Sequence, residues 1–208
     1  MQYIAFPLAY LLGSIPTAVW FGKWVKGVDV REHGSGNAGA TNTFRVLGWK
    51  VALPVLIVDV LKGFVAVSLY NWLGVESNNA HLIRILLGLL AVAGHIFPVF
   101  ARFKGGKGVA TLLGVLIAIE PQATLLAALV FILVFVLTHI ISMSSLISAM
   151  SLPIIYFFLS GARFDSLNLG FFVFIALLLI FTHRKNIKRI FEGSESKIYF
   201  GKKNGNGK

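Results

Sequence analysis

A chain of 208 residues that is 57% hydrophobic and only 13% charged, with a mean hydropathy of +0.82, has too little polar material to cover a water-soluble globule, for which roughly 45–50% apolar and about 25% charged residues are usual. Disorder and collagen are excluded, and the absence of cysteine excludes a disulfide-stapled scaffold, thiolate nucleophiles and thiolate metal sites. The net charge of +11 comes from 19 Lys+Arg against 8 Asp+Glu. The cations avoid the apolar runs and gather in a few loops, which fits anionic lipid headgroups, a cytoplasmic orientation or phosphate-bearing substrates, and no nucleic-acid partner is expected.

A helix needs ~20 mostly apolar residues to cross a hydrocarbon core of ~30 Å. The first candidate is Tyr3–Trp20, whose opening lacks the positive flank of a signal peptide, so a retained helix is expected. A basic stretch follows, containing His33-Gly-Ser-Gly-Asn-Ala-Gly-Ala-Thr-Asn-Thr-Phe-Arg45. Gly34, Gly36 and Gly39 match G-x-G-x-x-G, with Asp59 twenty residues beyond Gly39. The context argues against a dinucleotide site: no buried strand precedes the glycines, and Asp59 lies inside an apolar run beside Lys62. The underlying chemistry carries over, since glycines let backbone N–H groups approach an anion and Ser35, Asn37, Asn42 and Arg45 add donors. The plain alternative is a flexible turn between two helices.

Val51–Leu73 and Leu82–Phe100 are the next runs. Asp59 and Lys62 lie three residues apart within the former, where unpaired charges are expensive, so a structural ion pair is expected. His95 closes the latter and is a possible substrate contact. The second basic loop then runs through Lys104-Gly-Gly-Lys-Gly108. Its spacing fails the Walker A pattern, because Gly108 stands where Ser or Thr is needed. What survives is Lys104 and Lys107 on a glycine backbone (Gly105, Gly106, Gly108) that opens into a helix N-terminus, where phosphate is favoured. The alternative is two lysines that merely enforce topology. Val109–Ile119 is only ~17 Å of helix, either a short span or a re-entrant segment.

Ala123–Ile141, Ser142–Ser160 and Leu167–Thr182 complete the apolar runs. Ser142, Ser144 and Ser145 at one junction read as helix caps or substrate contacts. At the end of the last run, His183, Asn186 and Arg189 share a face if the helix continues. No His/Asp/Glu cluster has metal-ligand spacing, so no metal and no cofactor are expected. Of the 19 cations, 16 lie in residues 21–50, residues 101–108 and the tail from Arg184. Counting Val109–Ile119 as a span puts all three segments on one side. The expected architecture is therefore an all-α polytopic membrane protein with seven helices, N-terminus outside and C-terminus cytoplasmic; five spans are the alternative. Residues 1–198 read as a single membrane domain and 199–208 as a disordered basic tail.

Three stretches together resemble one family, the acyl-phosphate:glycerol-3-phosphate acyltransferases of bacterial membranes (PlsY). They are Gly34-Ser-Gly-Asn-Ala-Gly-Ala-Thr-Asn42 with Arg45, Gly94-His95 through Phe103-Lys-Gly-Gly-Lys-Gly-Val-Ala-Thr111, and His183 with Asn186. Leu12-Gly-Ser-Ile-Pro16, Asp59 with Leu61-Lys-Gly63, and Gly193-Ser-Glu-Ser-Lys-Ile198 also match family positions. Ser194-Glu-Ser196 replaces the frequent Thr-Glu-Pro, which leaves the role of Glu195, a possible substrate contact, open.

The resemblance implies transfer of a fatty acyl group from a long-chain acyl phosphate to the 1-hydroxyl of glycerol 3-phosphate, giving lysophosphatidate and phosphate. It implies a monomer at the cytoplasmic face of the bacterial inner membrane, in contact with membrane lipid. Ser35, Arg45 and the N–H groups of residues 34–39 would hold one phosphate. Lys104, Lys107 and the N–H groups of residues 105–108 would neutralise the other. Asn42, His183 and Asn186 would orient glycerol 3-phosphate, and the hydroxyl proton would pass to His183 or to the donor phosphate. The rivals are a transporter of a phosphorylated solute, disfavoured because the basic features gather on one face, and acyl transfer from a thioester, for which the His-x-x-x-x-Asp pattern is absent.

Overall fold

The computed structural model describes residues 2–75 and 77–199, and all their regular structure is helical. The expected basic tail, apart from Tyr199, lies outside the described residues. The chain divides into two compact units, Met1–Pro121 and Gln122–Lys208.

In the first unit, α1 (Ala5–Gly13) buries Ala5, Ala9 and Gly13, a small residue every fourth position along one face. That face meets α5 (Ala80–Ile96): Gly13 touches the Ala91 backbone, and Gly94 of α5 touches Tyr10 O. Lipid tails are as apolar as leucine, so helices in a bilayer associate through close backbone packing, and small residues permit it. The same device joins α4 (Trp49–Trp72) to α6 (Val109–Ile119), where Gly63 lies on the Thr111 backbone and Gly114 on Val60 O. Ala66, Val67, Leu87 and Val115 are fully buried among these helices. Arg84 explains its place in an apolar helix by donating from Nη2 to Ala118 O at 2.9 Å, at the carbonyl end of the short α6.

The run expected as one helix from Tyr3 to Trp20 is two. Pro16 lacks an N–H and disfavours helix at Ile15, so the chain breaks at residues 14–16 and resumes as α2 (Thr17–Lys26), bent by 42° from α1. Gly27 ends α2 in the left-handed region at φ +67°. A 3-10 turn, Val30–Glu32, leads to α3 (Ala40–Leu47). Val30, Ala18 of α2 and Val55 of α4 form a small core under Phe21, Ala40 and Leu47.

In the second unit, α7 (Pro121–Thr138) turns at His139 into α8 (Ile141–Ser160), and Ser148 Oγ donates to Ala127 O at 2.7 Å to tie the two. Asp165 caps α9 (Ser166–Thr182) by accepting from Leu167 N at 2.8 Å, and the Tyr156 ring packs edge-on against the buried Phe172. The helix does not continue past Thr182 as the His183–Asn186–Arg189 spacing supposed. It breaks at His183, and α10 (Arg184–Phe191) departs at 66°.

Among the described residues, four helices are long and apolar enough to cross a membrane, up to six spans if each bent pair counts as one, and Val109–Ile119 is a shorter apolar helix. The glycine contacts make a paired expectation. Gly114→Ala should lower the melting temperature of the detergent-purified protein, because the new Cβ meets the Val60 carbonyl oxygen and overpacking costs ~1–3 kcal/mol. Gly170→Ala, with nothing near its Cβ position, should hold or raise it.

Candidate active site

Hydrocarbon cannot hydrate a carboxylate, so Asp59 on α4, fully buried, must be satisfied by the protein. Its Oδ1 accepts from Thr17 Oγ1 at 2.6 Å and pairs with Lys62 Nζ at 2.7 Å. His95 Nδ1 lies 3.6 Å from the same oxygen and 3.0 Å from Thr111 Oγ1 of α6. Lys62 also donates to Ile15 O at 3.0 Å, a carbonyl at the break before Pro16 that accepts from Thr17 N as well. Four helices and the break thus converge on one charge pair.

The two glycine-bearing loops stand above this cluster. In the first, Asn42, 1% exposed, donates to Val30 O (2.7 Å) and His33 O (3.0 Å) and accepts from Ser35 N (2.8 Å). Gly34 has φ +59° and a Cβ there would strike Asn42 Oδ1, so only glycine lets the loop close on this side chain. In the second, Gly105 N donates to Ile96 O and Gly106 N to His95 O. A Cβ on Gly105 would strike His95 O, and one on Gly106 would strike the His95 ring and approach Ala38 O of the first loop.

Arg31 joins the loops. Its guanidinium forks onto Asp29 (Nε to Oδ1 3.0 Å, Nη2 to Oδ2 2.7 Å) while Nη1 donates to Ala101 O at 2.9 Å and Lys104 O at 3.3 Å. The Arg31 hydrogen bond holds the Asp29 carboxyl at about 2, below its ordinary 3.8. Ser35 and Lys104 remain exposed, and Asn37, Arg45 and Lys107 are half-buried.

In the second unit, Glu195 is the focus. Ser142 Oγ (2.8 Å) and Asn186 Nδ2 (2.6 Å) donate to its Oε1, and Arg189 Nε (2.6 Å) to its Oε2. Burial pushes this carboxyl up, but the bonds from Arg189, Asn186 and Ser142 outweigh burial and hold it below the usual glutamate range. The backbone cooperates: Glu195 N donates to Arg189 O, and Ile198 N to His139 O at 2.8 Å. His183, 2% exposed, has Nδ1 at 2.9 Å from Leu179 O. Ser144 and Ser145 bond back to Ile140 O and Ile141 O.

Residues 3–193, spanning both units, match the family model described as glycerol-3-phosphate acyltransferase. The chain belongs to the glycerol-3-phosphate acyltransferase family. A glycerol-3-phosphate acyltransferase of Fusobacterium nucleatum is 45% identical over 93% of this chain and 96% of its own. One of Chlorobaculum tepidum is 43% identical over 95% and 96%. The crystal structure of PlsY, an integral membrane glycerol 3-phosphate acyltransferase, in its glycerol 3-phosphate form is 37% identical and superposes with a TM-score of 0.82, covering 95% of this chain and 96% of that one. Its lysophosphatidic acid form gives 0.81. Family membership decides for the acyltransferase over the transporter.

Within the first unit of this acyltransferase the structure brings together Gly34–Gly39, Asn42, Lys62, Asp59, His95 and Gly105–Gly108. The N–H groups of Ser35, Gly36, Gly105 and Gly106 donate to Asn42 Oδ1, His33 O, Ile96 O and His95 O, so the tight turns satisfy much of their own backbone. Glu195, Ser142 and Asn186 come together in the second unit. Sequence reasoning gave no role to Arg31, Thr17 or Thr111; the nearest signal was Asp29-x-Arg31, which no motif marks.

The Asp29 carboxyl, lower in the fold than when unfolded, adds stability above its unfolded value that disappears as pH falls through its folded one. Asp29→Asn should therefore melt lower than the parent near neutrality, by up to ~2 kcal/mol. The two melting curves should converge between pH 3.8 and about 2.

Proposed function

We propose that this acyltransferase takes its acyl group from a fatty acyl phosphate and transfers it to the 1-hydroxyl of glycerol 3-phosphate, releasing 1-acylglycerol 3-phosphate and inorganic phosphate. The observation that carries this reading is the Arg31 guanidinium, which binds the Ser35 loop to the Lys104 loop through Ala101 O and Lys104 O. Both substrates carry phosphate, and two cationic loops fixed to each other suit a reaction in which two phosphates must lie close. An acyl phosphate is already activated, so positioning and electrostatics suffice and no covalent enzyme intermediate is needed.

In this reading Ser35, Asn37 and Arg45 hold one phosphate by side chain, and Lys104 and Lys107 neutralise the other and the leaving group. Asn42 acts by shaping the first loop. His183 and Asn186 orient the acceptor, a role resting on the family resemblance, with Glu195 holding Asn186. No metal or cofactor enters the scheme.

The six candidate spans and α6 as a short seventh give a topology with N-terminus outside and C-terminus cytoplasmic. The gathering of 16 of 19 cations in three segments supports it. Residues 1–198 then act as one membrane domain, a monomer in the bacterial inner membrane with its phosphate loops facing the cytoplasm. A single cysteine introduced at Pro121 should be labelled from outside the cell; labelling from the cytoplasm alone would reject the seventh crossing.

Purified protein given a long-chain acyl phosphate should release phosphate only with glycerol 3-phosphate present, with lysophosphatidate in equal amount and nothing from acyl-CoA. Turnover with a thioester and none with acyl phosphate would discard the donor. Arg45→Ala and Lys104→Ala should each lose at least ~10-fold in kcat/KM, since a charge-assisted contact is worth ~1.5–3 kcal/mol; near-normal kinetics in both would remove the phosphate assignment.

A further inference from the structure

The helix α9 is 17 residues long, ~25 Å and close to the hydrocarbon thickness, and the chain bends by 66° at its end. Without that bend Arg184, Lys185, Lys188 and Arg189 would continue along the axis of the apolar helix, where charged side chains are expensive. The bend gives α10 two unlike faces. Asn186 is buried and donates to Glu195 Oε1, and Arg189 pairs with Glu195 Oε2 on the same flank. On the opposite face Arg184 and Lys188, one turn apart, are exposed with Lys185 beside them, and Phe191 at the end of the helix is 88% exposed. The Arg184 guanidinium lies over the Phe181 ring, 4.8 Å from its centroid, at the edge of the apolar helix. The acidic group beside this face is Glu192, itself exposed and 3.7 Å from Lys188. An exposed phenylalanine next to three cations is a poor match to water and a good match to the headgroup boundary, where cations meet phosphate and an apolar ring can enter the acyl region.

We propose that the outer face of α10, made of Arg184, Lys185 and Lys188 with Phe191, docks on the anionic headgroups of the surrounding bilayer. Charge complementarity selects the partner, phospholipids of net negative charge in preference to zwitterionic ones. A helix of 8 residues would hold a membrane poorly as a free peptide, but α10 is tethered to α9, so docking is intramolecular and needs little affinity of its own. Asn186 and Arg189 hold Glu195 from the other side, so one helix joins the lipid charge to the cluster of Ser142, Asn186 and Glu195. The inference does not depend on the identity of the acyl donor.

The chain has no cysteine, so Glu192→Cys, at an exposed position beside Lys188, places a single nitroxide on the full-length protein. Its collision rate with a neutral, water-soluble nickel chelate is measured in nanodiscs of phosphatidylcholine alone and of an equal mixture with phosphatidylglycerol. The rate should be at least ~3-fold lower in the anionic discs, since three cations near an anionic surface favour docking by well over ~10-fold. High salt should restore most of it by screening. Adding Arg184→Gln, Lys185→Gln and Lys188→Gln together should abolish the difference between the two lipids. Equal rates in the two discs overturn the proposal. So does protection that survives the triple substitution, which would assign the lipid contact to another segment. Protection produced in phosphatidylcholine discs by inorganic phosphate at matched ionic strength overturns it too, because the ligand would then be a soluble anion. If the triple variant does not fold, the salt arm on the singly labelled protein decides: protection lost in high salt supports the docking, and protection indifferent to salt overturns it.

Discussion

A carboxylate buried in a membrane helix is the constraint around which the first unit is arranged. Asp59 cannot be solvated by lipid, and a charge pair left half-made there costs several kcal/mol. Lys62 one turn along neutralises it, but an ammonium has three protons to place. The Ile15 carbonyl at the break, which also accepts from Thr17 N, takes one of them, and Thr17, the first residue after the break, donates its hydroxyl to the same Asp59 oxygen. The interrupted first span and the buried charge therefore account for each other. His95 and Thr111 extend the network to α5 and α6, the two helices that bracket the second glycine loop.

Above that cluster, the glycines serve closure more than ligand approach. Gly34 is open so that Asn42 can gather the backbone of residues 30–35, and Gly105 and Gly106 are open so that the loop can settle on His95. A rigid frame of this kind lowers the ordering cost of side-chain contacts made when a ligand arrives. In the second unit Glu195 plays the corresponding part, bringing α8, α10 and the C-terminal segment to one carboxylate with three donors.

Much of this was legible in the sequence, for identifiable reasons. Apolar runs gave the helices, and Val109–Ile119 was bounded to the residue because Gly108 and Glu120 flank it. The three-residue spacing of Asp59 and Lys62 already put them on one turn. The break at residues 14–16 was missed because Gly-Ser-Ile-Pro sits inside a run whose mean hydropathy hides it. The carbonyl contacts of Arg31 join residues about seventy positions apart, and Glu195 meets Ser142 across fifty-three. Such pairings are set by tertiary packing, and no local spacing encodes them. The commitment of the glycine N–H groups was equally hidden, since a Gly-rich string reads the same whether its amides face a ligand or its own carbonyls.

The Asp59–Lys62 pair fixes the second glycine loop through His95. Hydrogen–deuterium exchange of a peptide covering residues 101–108 tests it most directly, compared among the parent, Asp59→Asn, Lys62→Met and the double variant. The account predicts faster exchange in each single variant, as the amides of Gly105 and Gly106 lose their hold on Ile96 O and His95 O. It also predicts slower exchange in the double variant than the singles would give if independent, because no buried charge is then left unpaired. Exchange in this peptide unchanged by either single substitution, or simply additive in the double variant, would contradict it.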